Sequence, residues 1–344
     1  MTYRPFLYII WFTGSAALTM LLTPLARSLA HRLGLVDRPD GRSYKWHRRP
    51  TAYLGGAAIA LTVVVMAILA RGHAAADRIS VILLGGLVCG AVGLWDDWRS
   101  LRVGPKLAAT LVGGVAVWAV GVRVAFTGNV AADLALTLAW LVVVTHAVNV
   151  VDNMDGVAVG LAALTATAAF VIAILNGQTR VALMAAAIAG ACIGFLPFNL
   201  GPATVFLGDA GTLFLGFVLA SLALALDLPG TAPLVRVTVP VLLLGVPIFN
   251  AALVIVSRRR AGRPIIEGAT DGVAHRLVAR GFSRGQAGVA FWIAGAALAA
   301  NAVLVAQMGE AAAAVTDVLL LITAAIAIWL FERVSVVSLQ SAKS

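Results

Sequence analysis

Three short stretches place carboxylates where long apolar runs stop. "VGLWDDWRSL" carries Asp96 and Asp97, "NVVDNMDG" carries Asp152 and Asp155, and "PFNLGPATVFLGDAGTLFLG" carries Asp209. An acid at the edge of an apolar segment is costly unless something cationic neutralises it. Each has a plain alternative: a solvated helix end partnered by Arg99 and Arg102, an Asx turn, or an N-cap. Yet the connection holding Asp209 contains no Lys or Arg, so its charge calls for a metal or a cation from elsewhere. Mg²⁺ takes one or two carboxylates plus phosphate oxygens. Asn199 and Phe206 add a polar contact and an aromatic platform. Two basic segments, residues 38–56 with His47 and residues 258–281 with His275 and Arg276, supply charge suited to phosphates. They can equally serve topology and anionic lipid. If folding gathers these pieces, the result is an acidic floor with a basic rim.

The elements that must position them are membrane helices. Of 344 residues, 61% are hydrophobic and 12% charged, and mean hydropathy is +0.98; soluble domains carry about 25% charge. The apolar runs are continuous, which argues against a β-barrel, and about 16–22 residues long, near the ~20 of a spanning helix. The reading is an all-α polytopic membrane protein, a bundle of about 11 transmembrane helices near 5–26, 52–70, 80–95, 106–121, 134–151, 157–175, 181–198, 211–226, 235–256, 286–306 and 315–331. It forms one integral membrane domain over 1–344, with connections near 27–51, 96–106, 149–156, 199–210 and 257–285 on one side. Nineteen of the 25 lysines and arginines fall on that side or in the tail. The positive-inside rule makes it cytoplasmic, with the N-terminus outside and the C-terminus inside. The net charge of +10 then reflects topology and anionic ligands, and no nucleic-acid partner is expected. Cys89 and Cys192 sit inside apolar runs, and neither a disulfide nor a metal site is expected of them. The first run lacks the preceding positive cluster of a signal peptide.

Five motifs in order, over residues 34–285, resemble the polyprenyl-phosphate N-acetylhexosamine-1-phosphate transferase superfamily (glycosyltransferase family 4). They are "GLVDRPDGRSYKWHRRPTAYLGG", "GLWDDWRSL" with the following Lys106, "NVVDNMDGVA", "FNLGPATVFLGDAGTLFLG" and "DGVAHRLVARG". The first loop is nearer the undecaprenyl-phosphate GlcNAc-1-phosphate transferase branch than the phospho-MurNAc-pentapeptide translocase branch, which stays an alternative. The resemblance implies transfer of a sugar-1-phosphate from a UDP-sugar to a polyprenyl phosphate, with UMP released, at the cytoplasmic face of the cell membrane. The lipid bilayer is the other partner, and a homodimer is compatible with it. It implies Mg²⁺ as cofactor, with Mn²⁺ as a substitute. By carry-over, Asp209 binds the metal, and Asp96 and Asp97 position or deprotonate the lipid phosphate and help hold the ion. Lys106 contacts phosphate, while Asn149, Asp152 and Asp155 shape the nucleotide pocket. Phe206 stacks on uracil, Asn199 adds a polar contact, and His275, His47 and Arg276 serve phosphates or sugar. The last loop departs from the pattern: it has one histidine, His275, where the family often has two or three.

Other classes fit less well. An ion-coupled secondary transporter would place acids near the bilayer midplane, whereas these cluster at one interface. A CDP-alcohol phosphotransferase would need a spaced Asp motif that the chain lacks. The phosphate chemistry qualifies one carried-over role: a monoester's second pKa is about 6, so a general base has little to remove near neutrality.

Overall fold

Each of the eleven apolar segments is helical in the computed structural model, which describes residues 4–39, 50–70, 78–264 and 271–334. The helices are α1 (Arg4–Leu33), α2 (Gly55–Ala70), α3 (Arg78–Arg99), α4 (Val103–Ala119), α5 (Val130–Val151), α6 (Val157–Leu175), α7 (Thr179–Asn199), α8 (Gly208–Ala225), α9 (Pro233–Leu243), α10 (Gly245–Arg260), α11 (Val273–Ala279), α12 (Arg284–Met308) and α13 (Glu310–Glu332). Two short strands, β1 (Val36–Asp37) and β2 (Thr51–Ala52), pair antiparallel. Among the described residues, eight helices are long and apolar enough to cross a membrane, or nine when α9 and α10 count as one bent span. The chain is therefore a multi-pass membrane protein. The apolar helices α2 and α4 have 16 and 17 residues. At about 1.5 Å per residue they reach roughly 24–26 Å, short of the ~30 Å hydrocarbon core.

Two elements differ from the sequence expectation. The segment 235–256 is not one rod but α9 and α10, bent by 76° at Leu244. Pro240 lies inside α9, where it removes a helical donor, and Pro247 lies in the first turn of α10, where no helical acceptor awaits an N–H. One carbonyl freed by the break, Leu243 O, accepts from Thr165 Oγ1 at 2.7 Å, which keeps irregular backbone tolerable inside the bundle. Helix α1 runs to Leu33 rather than ending near residue 26. Its last turns alternate exposed Leu25, Leu29 and Leu33 with Arg27 and Arg32, so polar residues carry it beyond the apolar run.

Helix α8 is the axis of the bundle and is buried along nearly its whole length, with Phe214 and Phe217 fully enclosed. Without a hydrophobic drive between helices in lipid, close packing must hold it, and small residues permit close packing. On α3, Gly86, Gly90 and Gly93 share the face that lies on α8. A Cβ at Gly93 would stand 2.3 Å from Asp209 O, and one at Gly86 2.5 Å from Val218 Cγ2. On the other flank, a Cβ at Gly56 of α2 would stand 2.1 Å from Gly211 Cα. Gly190 and Gly194 bring α7 equally close to α1. These contacts fix the N-terminus of α8 against the ends of α2 and α3, which is where the acidic motifs lie. Gly56→Val should therefore separate α2 from α8. We expect a loss of about 1–3 kcal/mol, read as an earlier thermal transition in detergent. Gly104→Ala, which has open space around it, should leave the transition unmoved.

Candidate active site

The chain turns sharply after α3, and Asp96 makes the turn. Its Oδ1 accepts from Leu101 N at 2.5 Å, and its carbonyl accepts from Ser100 N at 2.8 Å. The reversal starts α4 alongside, so Lys106, one turn into α4, points back at the end of α3. Its Nζ lies 2.6 Å from Asp96 Oδ2 and 2.5 Å from Asp209 Oδ2. The other oxygen of Asp209 accepts from Asn149 Nδ2 at 2.8 Å, and that amide also donates to Thr212 Oγ1 at 2.8 Å. Three connections far apart in sequence thus meet at Asp209. The side chains of Lys106, Asp96 and Asp209 are 14%, 16% and 27% exposed. They are shielded enough for the charges to matter and open enough for a ligand to reach them.

Asp97 holds a different position. Its Oδ1 accepts from Asp209 N at 2.9 Å and its Oδ2 from Ala210 N at 3.1 Å. A carboxylate from α3 therefore caps the N-terminus of α8, satisfying two donors that a helix leaves open and favoured by its dipole. Gly208 makes room: its φ is +72°, and a Cβ there would stand 2.6 Å from Asp97 Oδ2. Expected as a metal or phosphate group, Asp97 is first of all the bracket that sets Asp209 in place.

The loop after α5 and the connection after α7 brace one another. Asn199, 2% exposed, accepts from Gly156 N at 3.1 Å and donates to Val205 O at 3.0 Å, so both ends of its amide are spent inside the protein. Asp155 Oδ2 accepts from Ala203 N at 3.0 Å. Asp152, between α5 and α6, faces the crowd of acids. Burial pushes its carboxyl up to about 8, and the charges of Asp209, Asp155 and Asp97 add to the effect. Phe206 is half-buried, with its ring centroid 6.2 Å from that of Tyr53. Strand β2 holds it there: Phe206 N donates to Ala52 O at 2.8 Å, and Gly55 N to Phe206 O at 3.1 Å. Tyr53 and Thr212 were not singled out from sequence. Tyr53 lies in the quoted first loop, and burial followed by the charges of Asp37 and Asp97 raises its hydroxyl pKa. Thr212 follows Asp209 by three residues, the spacing that shares a helix face.

The histidine-bearing loop is partly apart from this cluster. His275 is buried at the start of α11, and burial lowers its imidazole to about 4 against the opposing pull of Asp271, so it is neutral near pH 7. Arg276, expected to serve phosphates or sugar, has its guanidinium taken up by acceptors within the protein. Its guanidinium donates to Ser257 Oγ, to Glu332 Oε1 at 2.9 Å and to the carbonyls of Phe331 and Val334, and Nε donates to Asp271 O at 3.0 Å. A buried guanidinium needs such a full set of acceptors, and here it ties α11 to the end of α13. His47 lies outside the described residues.

The donor set fits a hard divalent ion. All candidate ligands are oxygens, and Asp96 and Asp209 already share one cationic group. Among the described residues, no group of three or more His, Cys, Asp or Glu side chains is arranged to hold a metal by itself. Two carboxylates completed by phosphate oxygens are what Mg²⁺ prefers.

Residues 79–227 match the family model described as glycosyl transferase family 4. The chain is 29% identical over 307 residues to a Bacillus subtilis protein named "Probable undecaprenyl-phosphate N-acetylglucosaminyl 1-phosphate transferase", covering 86% of this chain and 84% of that one. It is 32% identical over 305 residues to a decaprenyl-phosphate N-acetylglucosaminephosphotransferase of Mycobacterium tuberculosis, covering 78% and 75%.

Asp152 makes stability pH-dependent with a definite sign. Its folded pKa of about 8 exceeds the ordinary 3.8, so the folded state binds the extra proton and loses stability as pH rises through that interval. Asp152→Asn should raise the melting temperature over wild type by little at pH 4.5 and by progressively more up to pH 8.5.

Proposed function

The chain belongs to glycosyl transferase family 4, and from that premise we propose that it transfers N-acetylhexosamine-1-phosphate from a UDP-sugar to a polyprenyl phosphate. The donor is UDP-N-acetylglucosamine and the acceptor undecaprenyl phosphate, by analogy with the relative from Bacillus subtilis. A phosphate oxygen of the lipid attacks the β-phosphorus, the bridging P–O bond breaks, and UMP leaves. The observation that carries this reading is the cation seat between Asp96 and Asp209, built at one end of a membrane bundle.

Asp96 and Asp209 are the metal-binding pair, and Mg²⁺, when bound, supplies charge neutralisation for the pyrophosphate. Lys106, released from part of its ion pairing, turns to a phosphate oxygen. Asn149 holds Asp209 in register through Oδ1. Asp97 acts as a positioning residue through the α8 amides. Asp152 and Asp155 line the nucleotide side, and the Phe206 face offers a stack for the uracil. His275, neutral at working pH, donates or accepts toward the sugar-phosphate, and His47 approaches from the first loop. No general base is needed, because the lipid phosphate is already largely dianionic near neutrality. Placement and electrostatic stabilisation supply the acceleration. The excess of basic residues in the same connections puts this end of the bundle in the cytoplasm, with the N-terminus outside. The same alternation is the support for counting each of the eleven helical segments, short α2 and α4 included, as a crossing in one domain.

The test is Mg²⁺-dependent exchange of labelled UMP into UDP-N-acetylglucosamine in membranes supplied with undecaprenyl phosphate. Wild type should exchange, and no exchange with any UDP-N-acetylhexosamine would overturn the reading. Asp209→Asn should lower turnover by about 10²–10³-fold or more, a loss far larger than any accompanying shift in the thermal transition, since the amide oxygen can still accept from Lys106 Nζ. Lys106→Ala should lower kcat/KM by roughly 10–100-fold, of the order expected for a lost charged phosphate contact.

A further inference from the structure

The Gly156 peptide closes the loop that carries Asp152 and Asp155, and it is held from two sides. Its N–H donates to Asn199 Oδ1 of α7 at 3.1 Å. Its carbonyl accepts from Gly160 N at 3.0 Å within α6 and also from Trp292 Nε1 of α12 at 3.3 Å. Gly156 has φ +76°, the left-handed turn through which the loop enters α6. Pinning this one peptide therefore fixes the direction in which the loop leaves the helix. Trp292 is half-buried, and glycines let it come this close. A Cβ at Gly160 would stand 2.1 Å from its Nε1, and one at Gly156 3.5 Å from its Cζ2. The same face of α12 continues the contact: a Cβ at Gly288 would stand 3.8 Å from Val157 Cγ2, and one at Gly295 2.6 Å from Leu161 Cδ2.

A phenyl ring would fill much of the same groove. What the indole adds is a donor aimed at the peptide next to Asp155. Asp155 is itself tied to the connection after α7, through Ala203 N at 3.0 Å. The loop is thus bonded to α7, to the connection after it and to α12, and Trp292 is the α12 bond. We propose that Trp292 is a positioning residue for the nucleotide: its N–H latches the loop so that Asp152 and Asp155 hold the arrangement that meets the ligand. The proposal rests on the transferase reading, which puts those acids on the nucleotide side, and it names a residue beyond all five sequence motifs. The latch belongs to the free protein and to the complex alike. Its loss therefore weakens nucleotide binding and leaves the chemical step alone, so KM moves and kcat does not.

Amide hydrogen exchange and UMP binding on the full-length protein in nanodiscs separate this inference from its parent. Wild type is compared with Trp292→Phe, which removes the donor and keeps a ring, and with Gly160→Ala, which keeps the indole and displaces it. The two act by different routes, so one informs if the other folds poorly. In both, the amides of residues 153–157 should exchange about three- to tenfold faster, and UMP affinity should fall by a similar factor. Mn²⁺ affinity without nucleotide should stay within about twofold, because the Asp96–Asp209 seat does not depend on α12. In turnover, KM for UDP-N-acetylglucosamine should rise while kcat stays within about twofold. Wild-type exchange in a folded variant would overturn the latch. Faster exchange with unchanged UMP affinity, or a fall in kcat at constant KM, would overturn its role in binding and leave the transferase reading standing. Failure of wild type to bind UMP at all would sink the transferase reading and the binding role together.

Discussion

The ammonium of Lys106 between Asp96 and Asp209 is the interaction on which the rest of the molecule turns. Two carboxylates brought this close, and largely shielded from solvent, repel one another. One cation answers both, at 2.6 and 2.5 Å. The same geometry makes the place ready for exchange. In the proposed reaction a divalent ion with phosphate oxygens would satisfy the same acids, and the lysine would be free to follow the phosphate. The other carboxyl groups nearby offer a cation no better seat. Asp97 is committed to the α8 amides and Asp155 to Ala203 N.

Such a seat needs backbone precision, and glycine contacts provide it. Helix α3 can reach over the first turn of α8 only because Gly93 carries no side chain against Asp209 O. Gly56 admits α2 on the other side, and β2 then stitches the first loop to the segment bearing Phe206. On a third side, the buried cluster of Arg258, Asp271, Arg276 and Glu332 locks α10, α11 and α13 together. Those charges fix the loop that presents His275. Their own hydrogen bonds consume them, so they hold a frame.

Much of this was legible in the chain. Acids at the ends of apolar runs mark themselves by their cost, and the charge bias puts them on one side, so the meeting of Asp96, Asp152, Asp155 and Asp209 could be expected. The helical segments were equally plain. Partnerships set by distant backbone could not be read. The bracket from Asp97 to Asp209 N spans 112 residues, and the capture of Arg276 by Glu332 spans 56. From sequence, each is a polar residue near other charges, and only packing tells a ligand from a strut. The amides of Asn199 look equally free in the sequence and are equally spent in the fold. The bend at Leu244 is an intermediate case: Pro240, Gly245 and Pro247 announced it, yet a hydropathy run of sufficient length concealed it.

We propose that the cation seat shared by Asp96 and Asp209 also meets a nucleotide phosphate. Electron paramagnetic resonance of Mn²⁺ bound to the membrane-embedded protein with UMP addresses it without relying on turnover. Wild type should bind Mn²⁺ with ³¹P hyperfine coupling from the nucleotide, and the Asp96→Asn, Asp209→Asn double variant should lose both. Unchanged Mn²⁺ binding and ³¹P coupling in that variant would contradict the account.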